Sequence, residues 1–467
     1  MSFAENITRN LPEVKAPDAK KVDFSTKFKW TLTILLAYFL LGLVPLNGLA
    51  DNALEQFTFL SVILGAEFGS LITLGIGPIV TASIILQLLN GSGIISFNLQ
   101  TSEGKKQFQS WQRVLAIVFI FFESIIFVVS GGLTPEVGVS PMWLIFQLII
   151  GGFLIVYMDE VVAKWGFGSG LSLFIAAGVS KSLMLQLLSP LTQAGTLAWP
   201  FVGQEPPAGA LFALLHALAV EASTREFMIQ VLAILATAIV FAMAVLAISM
   251  KVEIPLSFGR ARGFGIRWPL NFVYTSNIPV ILIAALIANF QLLARLVHSS
   301  VGDSWFAQFV EDSPQPTGGF VTWLFPDSII RHVLDGTLTP LIVTQSLFYL
   351  VIMMLGAMMF SIFWMQSAGM DAKSLAKQIQ SSGLQVPGFR RDPRVLEKLL
   401  ERYVLPLSIL GGLTIGFLAA IADLSGALTS GAGLLLATMI IYQLYQEIAK
   451  QHQMDMHPLM KKFVEAT

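Results

Sequence analysis

Apolar segments of about 20 residues recur along this chain, and they constrain its fold more than any other feature. A segment of about 17–25 apolar residues can cross a bilayer as an α-helix. Of the 467 residues, 55% are hydrophobic and 12% are charged, whereas soluble domains carry about a quarter charged residues. The pattern predicts an all-α polytopic membrane protein. Its ten predicted spans are residues 30–46, 74–89, 114–133, 142–158, 170–188, 227–250, 270–293, 339–364, 403–422 and 427–448.

The basic residues give this arrangement a sidedness. If the N-terminus is inside, all but four of the 28 Lys and Arg residues fall on the same side of the membrane. The exceptions are Lys181, Arg225, Arg295 and Arg331. Because cytoplasmic loops retain Lys and Arg, both termini are predicted to be cytoplasmic. The apolar stretches 57–65 and 210–222 are too short to span, and we expect the second to be an interfacial helix on the outer face.

The ten spans form two sets of five, and an odd number per set predicts two inverted halves. Two sequence echoes link the halves, although chance similarity between apolar segments is the alternative. Residues 77–80 (GPIV) resemble 277–281 (NIPVI), and 168–171 (GSGL) resemble 431–434 (GAGL). The predicted divisions are a cytoplasmic N-terminal segment (1–29), a first half (30–188), an external loop (189–226), a second half (227–448) with cytoplasmic loops 251–269 and 365–402, and a cytoplasmic tail (449–467).

The second predicted span carries two glycines and a proline in close succession, at Gly75, Gly77 and Pro78. Such residues in a span indicate either close helix packing or a broken helix that lines a cavity. The short stretch 57–65 directly before this span favours a half-helix that dips in from the outer side and turns back. The Gly/Pro pattern therefore predicts a cavity.

The cavity is too apolar for an ion or proton pathway. Glu123 is the clearest acid within a span, and we expect it to hydrogen-bond a neighbouring helix, with a coupling role as the alternative. A secondary transporter of a small solute, the rival class, needs a polar coupling site near the midplane, and none is visible. An intramembrane protease needs paired aspartates within the spans. The chain has no cysteine, which excludes disulfides and thiolate chemistry, and no cofactor or metal site is expected.

With these residues described, the chain resembles the SecY family of protein-conducting channels in its archaeal form, from 11–14 (LPEV) through the tail. The most specific stretches are TLGIGPIVTASIILQLLNGSGII, YMDEVVAKWGFGSGLSLFIAAGVS, FVYTSNIPVILIAALIANFQL, GMDAKSLAKQIQ and GFRRD. They occur in order across all ten spans.

The resemblance implies the following site residues. A plug lies within about 52–68, formed by Phe57, Thr58, Phe59, Leu60, Ser61, Val62, Ile63 and Leu64. An apolar pore ring consists of Ile76, Val80, Leu171, Ile175, Ile281 and Leu436. A lateral gate between the second and third spans and the seventh and eighth carries the polar residues Thr81, Gln87, Asn277 and Asn289, for which structural packing is the alternative role.

The cytoplasmic loops are rich in arginine. In 251–269 arginines alternate with aromatic residues around three glycines, which predicts a hairpin tip and suits RNA backbone and unstacked bases. Ordinary retention of positive charge is the alternative. In 365–402 a short helix, 372–382, leads to a second charged helix. By resemblance, Arg260, Arg262, Arg390 and Arg391 dock the ribosome, including its RNA, and the receptor of the signal recognition particle.

The resemblance implies a central channel subunit that conducts unfolded polypeptides across the membrane and releases transmembrane segments sideways into lipid. Its partners would be single-span SecE-type and small β- or SecG-type subunits, and its substrates nascent signal sequences and transmembrane segments. The chain is not expected to be an enzyme, because no nucleotide-binding or catalytic motif is visible.

Single cysteines in the otherwise cysteine-free chain test the predicted topology. Substitutions expected to react with an impermeant thiol reagent only from the cytoplasmic side are Gln107→Cys, Arg262→Cys and Ser382→Cys. Those expected to react only from outside are Asn52→Cys, Glu136→Cys and Asp312→Cys. The measurement is labelling of sealed and opened vesicles, and external labelling at position 262 would contradict the ten-span topology.

Overall fold

A helix occupies each of the ten predicted spans. The computed structural model describes residues 13–17, 22–52, 67–91, 94–95, 97, 102–129, 132–192, 206–219, 224–258, 265–276, 278–309, 316–381, 384–385 and 393–456. The helices are α1 (Phe24–Gly42), α2 (Gly77–Gly91), α3 (Ser102–Val129), α4 (Pro141–Trp165), α5 (Gly170–Leu188), α6 (Ala210–Ala219), α7 (Thr224–Ser249), α8 (Ile278–Val301), α9 (Ile329–Asp335), α10 (Pro340–Ser367), α11 (Ala372–Ser381), α12 (Pro393–Leu424) and α13 (Gly431–Met456), with a 3₁₀ turn at Phe320–Leu324. The strands are β1 (Leu49–Asn52), β2 (Leu133–Pro135), β3 (Lys251–Phe258), β4 (Gly265–Asn271), β5 (Gln308–Phe309), β6 (Pro316–Gly318) and β7 (Leu384–Gln385).

Seven of the described helices are long and apolar enough to cross a membrane, namely α3, α4, α5, α7, α10, α12 and α13. The other three predicted spans contain α1, α2 and α8. The short apolar stretch 210–222 forms the ten-residue helix α6. The charged helix predicted after 372–382 is not separate from the ninth span, because α12 runs without a break for 32 residues through both.

The Gly/Pro segment of the second predicted span forms a turn that leads into the helix. Gly75 has a φ of +52°, in the left-handed region that favours glycine. Helix α2 begins only at Gly77, and Pro78 sits in its first turn, where a missing N–H costs no hydrogen bond. Pro279 occupies the same position in α8. The seventh span therefore starts later than predicted, since Leu270 and Asn271 lie in β4.

The chain divides into two compact units, one formed by Met1–Ser180 with Ile440–Thr467 and the other by Lys181–Met439. In the first unit α2 packs on α3, α3 on α4, and α4 on α1. An antiparallel pair of strands, β1 and β2, adjoins these helices. The buried core of this unit includes Leu46, Leu74, Ile120, Leu133, Leu144 and Leu148.

In the second unit α12 is the central helix. It packs against α10, α11 and α7, and α8 packs against α10. Strands β4, β3 and β7 form a three-stranded sheet in that order, and β5 pairs with β6. One buried cluster, containing Ile254, Leu256, Leu270, Ile379, Leu396 and Leu400, lies between this sheet, α11 and the first turns of α12.

Glycines on α12 allow it to approach α10 at backbone distance. A Cβ atom added at Gly416 would lie 2.5 Å from the carbonyl oxygen of Met353, and one at Gly412 would lie 2.9 Å from that of Ala357. Small residues spaced four apart are a common means of close packing between membrane helices, where lipid supplies no hydrophobic drive for association. The α10–α12 contact therefore depends on these two positions.

We expect Gly416→Leu to lower the thermal unfolding temperature of the purified complex, since the leucine must push α10 away at a cost of about 2 kcal/mol or more. Thr414→Leu is the matched control, because it adds a leucine on the same turn of α12 at a partly exposed position. Thermal unfolding in detergent is the measurement. Equal unfolding temperatures of the two variants would show that the close approach of α10 and α12 does not contribute to the stability of the fold.

Candidate functional site

The turn that precedes α2 places two of the predicted ring residues. Thr73 holds this turn, since its hydroxyl donates to the carbonyl of Ser70 at 2.5 Å and accepts from the N–H of Gly69 at 3.0 Å. Ile76, at the end of the turn, is fully buried. The N–H of Val80 donates to the carbonyl of Ile76 at 3.0 Å, so the two side chains follow each other on one face. Val80 is partly exposed.

Helix α5 carries the next two ring residues, and its start is held by an acid on the preceding helix. The N–H of Leu171 donates to Oδ1 of Asp159, on α4, at 2.8 Å. Leu171 is partly exposed, whereas Ile175, one turn further along the same face, is 2% exposed. The four predicted ring residues of the first unit thus form two pairs, one at the turn and start of α2 and one on α5.

The second unit contributes one predicted ring residue from each of two helices. Ile281 lies in the first turn of α8 and is partly exposed. Leu436 lies on α13 and is fully buried. The N–H of Gly431, the first residue of α13, donates to Oδ1 of Asp423 at 2.7 Å.

Polar side chains bridge α2 and α3 at the predicted gate. The hydroxyl of Thr81 donates to Oε1 of Glu123 at 3.4 Å, which confirms that Glu123 bonds a neighbouring helix. A second bridge runs from Nε2 of Gln112 to Oγ of Ser83, at 2.5 Å. The sequence predicted neither Thr81 as the partner of Glu123 nor the Gln112–Ser83 bond, because no spacing in the sequence relates one helix to the other.

Most of the remaining predicted gate and plug residues lie outside the described residues. Gln87 lies in α2 and Asn289 in α8, but their side chains lie outside the described residues. Asn277 lies outside them altogether, as do the plug residues 57–64.

Loop 251–269 forms the predicted hairpin. Strands β3 and β4 pair antiparallel from Lys251 opposite Asn271 to Ser257 opposite Gly265. The predicted docking residues Arg260 and Arg262 fall in the tip, residues 259–264, which is outside the described residues. Arg267, on β4, forms an exposed ion pair with Glu253 at 3.0 Å.

The two loops predicted to be cytoplasmic form one packed structure, which the sequence did not indicate. Strand β7, from loop 365–402, pairs with the end of β3. We call β3, β4, β7, α11 and the first turns of α12 the loop platform; its buried side is the cluster around Ile254 and Leu400. Arg390 and Arg391 follow β7 and lie outside the described residues.

A tyrosine ties the loop platform to the start of α8. The hydroxyl of Tyr274 donates to the carbonyl of Met370 at 2.7 Å. Burial, and after it the negative charge of Asp371, raises the pKa of Tyr274 to about 12, so the hydroxyl remains a donor at neutral pH. The entry to α8 and the segment between α10 and α11 are therefore fixed together.

The N-terminal segment is bound to the end of α4 by contacts that sequence reasoning missed. Nζ of Lys164 donates to Oε1 of Glu13 at 2.7 Å and to the carbonyl of Val14 at 2.6 Å. Nε1 of Trp165 donates to the carbonyl of Lys15 at 2.8 Å. The bond from Lys164 lowers the pKa of the Glu13 carboxyl, which is therefore ionised at neutral pH. No local pattern relates residues 151 positions apart.

Comparison with known proteins was made on sequence and on structure. The family model SecY matches residues 70–445. A relative from Methanothermobacter thermautotrophicus, named protein translocase subunit SecY, is 43% identical over 461 residues, covering 97% of this chain and 96% of the relative. A solved structure described as that of a protein-conducting channel superposes with a TM-score of 0.77 at 35% identity, covering 97% of this chain and 98% of that one. Sec61 in a canine ribosome–channel complex gives a TM-score of 0.75, also at 35% identity, with the same shares covered.

These matches run through both units and all ten span helices, and they confirm the all-α, ten-span fold class. The starts of α2 and α8 and the paired loops 251–269 and 365–402 lie inside the residues that the family model matches. This chain, a multi-pass membrane protein, therefore belongs to the SecY family.

Proposed function

We propose that this chain is the channel-forming subunit of a protein translocase, which conducts unfolded polypeptides across the membrane and releases transmembrane segments sideways into lipid. The observation that carries the proposal is the match to a protein-conducting channel over 97% of this chain, which includes the turn that precedes Gly77 in the second span. The chain supplies a passage and catalyses no reaction, and elongation by a bound ribosome would move the substrate.

The physical requirements of such a passage fit the proposed ring. An extended polypeptide cannot enter hydrocarbon, because each unsatisfied backbone group costs several kcal/mol. A water-filled funnel with a narrow aliphatic constriction lets side chains pass without binding them, and an apolar constriction can dewet when empty and so limit ion leak. We assign that constriction to Ile76, Val80, Leu171, Ile175, Ile281 and Leu436.

We assign the lateral exit to the helices that carry Thr81, Gln87, Asn277 and Asn289, and the plug to residues 57–64. On one side of this exit, Thr81 of the second span donates a hydrogen bond to Glu123 of the third span, so these two helices are held together there. Each Leu, Ile or Phe of an exiting segment gains about 0.3–0.6 kcal/mol in lipid. The rival function, small-solute transport, is not favoured by the comparisons.

We propose that the loop platform faces the cytoplasm and docks the ribosome through Arg260 and Arg262, with Arg390 and Arg391 at the ribosome or the targeting receptor. Its support is twofold: both arginine pairs adjoin strands of one sheet, and a similar channel was solved bound to a ribosome. By the same resemblance, SecE-type and small β-type subunits complete the complex in the cell membrane, with both termini of this chain in the cytoplasm.

The ring assignment predicts a leak when its walls become polar. The double variant Ile76→Asn with Ile281→Asn removes two aliphatic walls and gives water hydrogen-bonding partners, so the idle channel should conduct ions and accept poorer signal sequences. The control, Ile79→Asn with Ile283→Asn, makes the same change at buried positions of the same helices. Single-channel conductance of the reconstituted complex is the measurement. If the double variant conducts no more ions than its parent, while a variant that lacks residues 57–64 does conduct, the constriction is formed by other residues.

The docking assignment predicts a salt-dependent loss of affinity. Arg260→Glu or Arg390→Glu should weaken ribosome or receptor binding and reduce the dependence of log affinity on log salt by about one unit, because a phosphate contact is lost. Arg267→Glu is the control, since that arginine already pairs with Glu253. Binding is measured by co-sedimentation at several salt concentrations. Unchanged affinity in both test variants would leave these arginines as topology signals only.

A further inference from the structure

Two aspartates outside the proposed ring occupy equivalent positions in the two units. Asp159 lies near the end of α4, and its Oδ1 accepts from the N–H of Leu171, 12 residues later, at 2.8 Å. Asp423 lies at the end of α12, and its Oδ1 accepts from the N–H of Gly431, eight residues later, at 2.7 Å. In both units the last residues of one span thus hold the first or second residue of the next.

A glycine at the start of the second helix is required in each case. A Cβ added at Gly170 would lie 2.5 Å from Cα of Asp159, which no real structure tolerates. A Cβ added at Gly431 would overlap the carbonyl oxygen of Ala419, on α12. The start of each helix therefore lies directly on the span that supplies the acid, and any other residue would force it away.

The acid and the glycine are at a fixed distance from a ring residue. Ile175 is the fifth residue after Gly170, and Leu436 is the fifth residue after Gly431. They are 2% and 0% exposed. With a rise of 1.5 Å per residue, each lies about 7.5 Å along its helix from the held end. The equal spacing therefore makes Gly431 the counterpart of Gly170. The similarity of GSGL (168–171) to GAGL (431–434) would instead make Gly168 the counterpart of Gly431, a difference of two residues.

We infer that Asp159 and Asp423 are positioning residues, each of which sets the level and rotation of the helix that presents Ile175 or Leu436. The inference rests on the proposed function, because it assigns a role within that ring. A helix N-terminus leaves N–H groups without partners and carries partial positive charge, so a carboxylate binds it through charge-assisted bonds. A slip of one residue would move the ring side chain by about 1.5 Å and rotate it by about 100°.

The second aspartate is itself oriented by a third helix. The hydroxyl of Tyr349, on α10, donates to Oδ2 of Asp423 at 2.8 Å, and Tyr349 is 4% exposed. With Oδ1 on Gly431 and Oδ2 on Tyr349, the carboxylate cannot turn without losing a buried hydrogen bond. Tyr349 therefore acts through Asp423 on α13.

The test measures the position of each ring residue directly. Ile175→Cys or Leu436→Cys is introduced into the full complex, whose channel chain has no other cysteine, and the rate of modification by a thiol reagent is recorded. Asp159→Ala should raise the rate at position 175 about tenfold and leave 436 unchanged, and Asp423→Ala should do the reverse. A tenfold change corresponds to loss of one charge-assisted hydrogen bond in a local opening equilibrium.

Three further variants separate positioning from general stability. Asp159→Asn and Asp423→Asn keep the accepting oxygen and should stay within about twofold of the parent rate. Thr339→Ala removes the hydroxyl that caps α10, a helix with no proposed ring residue, and should change neither rate. If an alanine variant does not assemble, Tyr349→Phe, which leaves Asp423 in place, should raise the rate at 436 alone.

Equal increases at both cysteines, or no increase in any variant, would overturn the inference. Ion conductance of the idle complex distinguishes this failure from failure of the proposed function. If labelling rises on the expected helix and conductance stays at the parent level, Asp159 and Asp423 do position these helices, and the ring assignment is the part that is wrong.

Discussion

The need of every peptide group beside hydrocarbon for a hydrogen-bond partner is the constraint on which the rest of this structure depends. A continuous helix meets it internally, but a helix that starts next to an apolar neighbour leaves its first N–H groups open. The chain satisfies this need with side chains of the preceding span: Asp159 at the start of α5 and Asp423 at the start of α13. At α2 the backbone of the preceding turn does so, since the N–H of Gly77 donates to the carbonyl of Leu74. The interruptions that a channel requires are thereby made compatible with a membrane. In our proposal, the two aspartate bonds also set the depth in the membrane of Ile175 and Leu436, which follow on α5 and α13.

Glycine has two different uses in this fold. At Gly75 it supplies a positive φ that ends the turn before α2, which is a conformational role. At Gly170, Gly412 and Gly416 it leaves out a side chain where another backbone lies too close for one, which is a packing role. Both uses read alike in a sequence, as small residues within an apolar run. They have opposite consequences, since the first breaks a span and the second joins two spans tightly.

The two loops predicted to be cytoplasmic are also held by contacts between distant parts of the chain. Loops 251–269 and 365–402 are far apart in sequence, yet β7 completes the sheet begun by β3 and β4, and a shared apolar cluster closes beneath it. A packed base of this kind lowers the entropic cost of binding for the docking role that we propose for the loop platform. At the other end of the chain, Lys164 and Trp165 bind the segment around Glu13, which joins the N-terminus to the first unit.

The sequence by itself determined the number and kind of spans, the turn before Gly77 and the hairpin at 251–269, because hydrophobic length, glycine and proline act locally and are visible in a single segment. It also gave the expectation that Glu123 bonds a neighbouring helix, but not that the partner is Thr81. Only the tertiary structure decided that Asp159 bonds the start of α5 and that Asp423 bonds the start of α13. It also decided that α12 is one continuous helix from Pro393 and that β7 pairs with β3. These contacts join residues with no periodic relation in the chain. Their partners are set by how whole helices lie on one another, and that depends on packing at all positions at once rather than on any one motif.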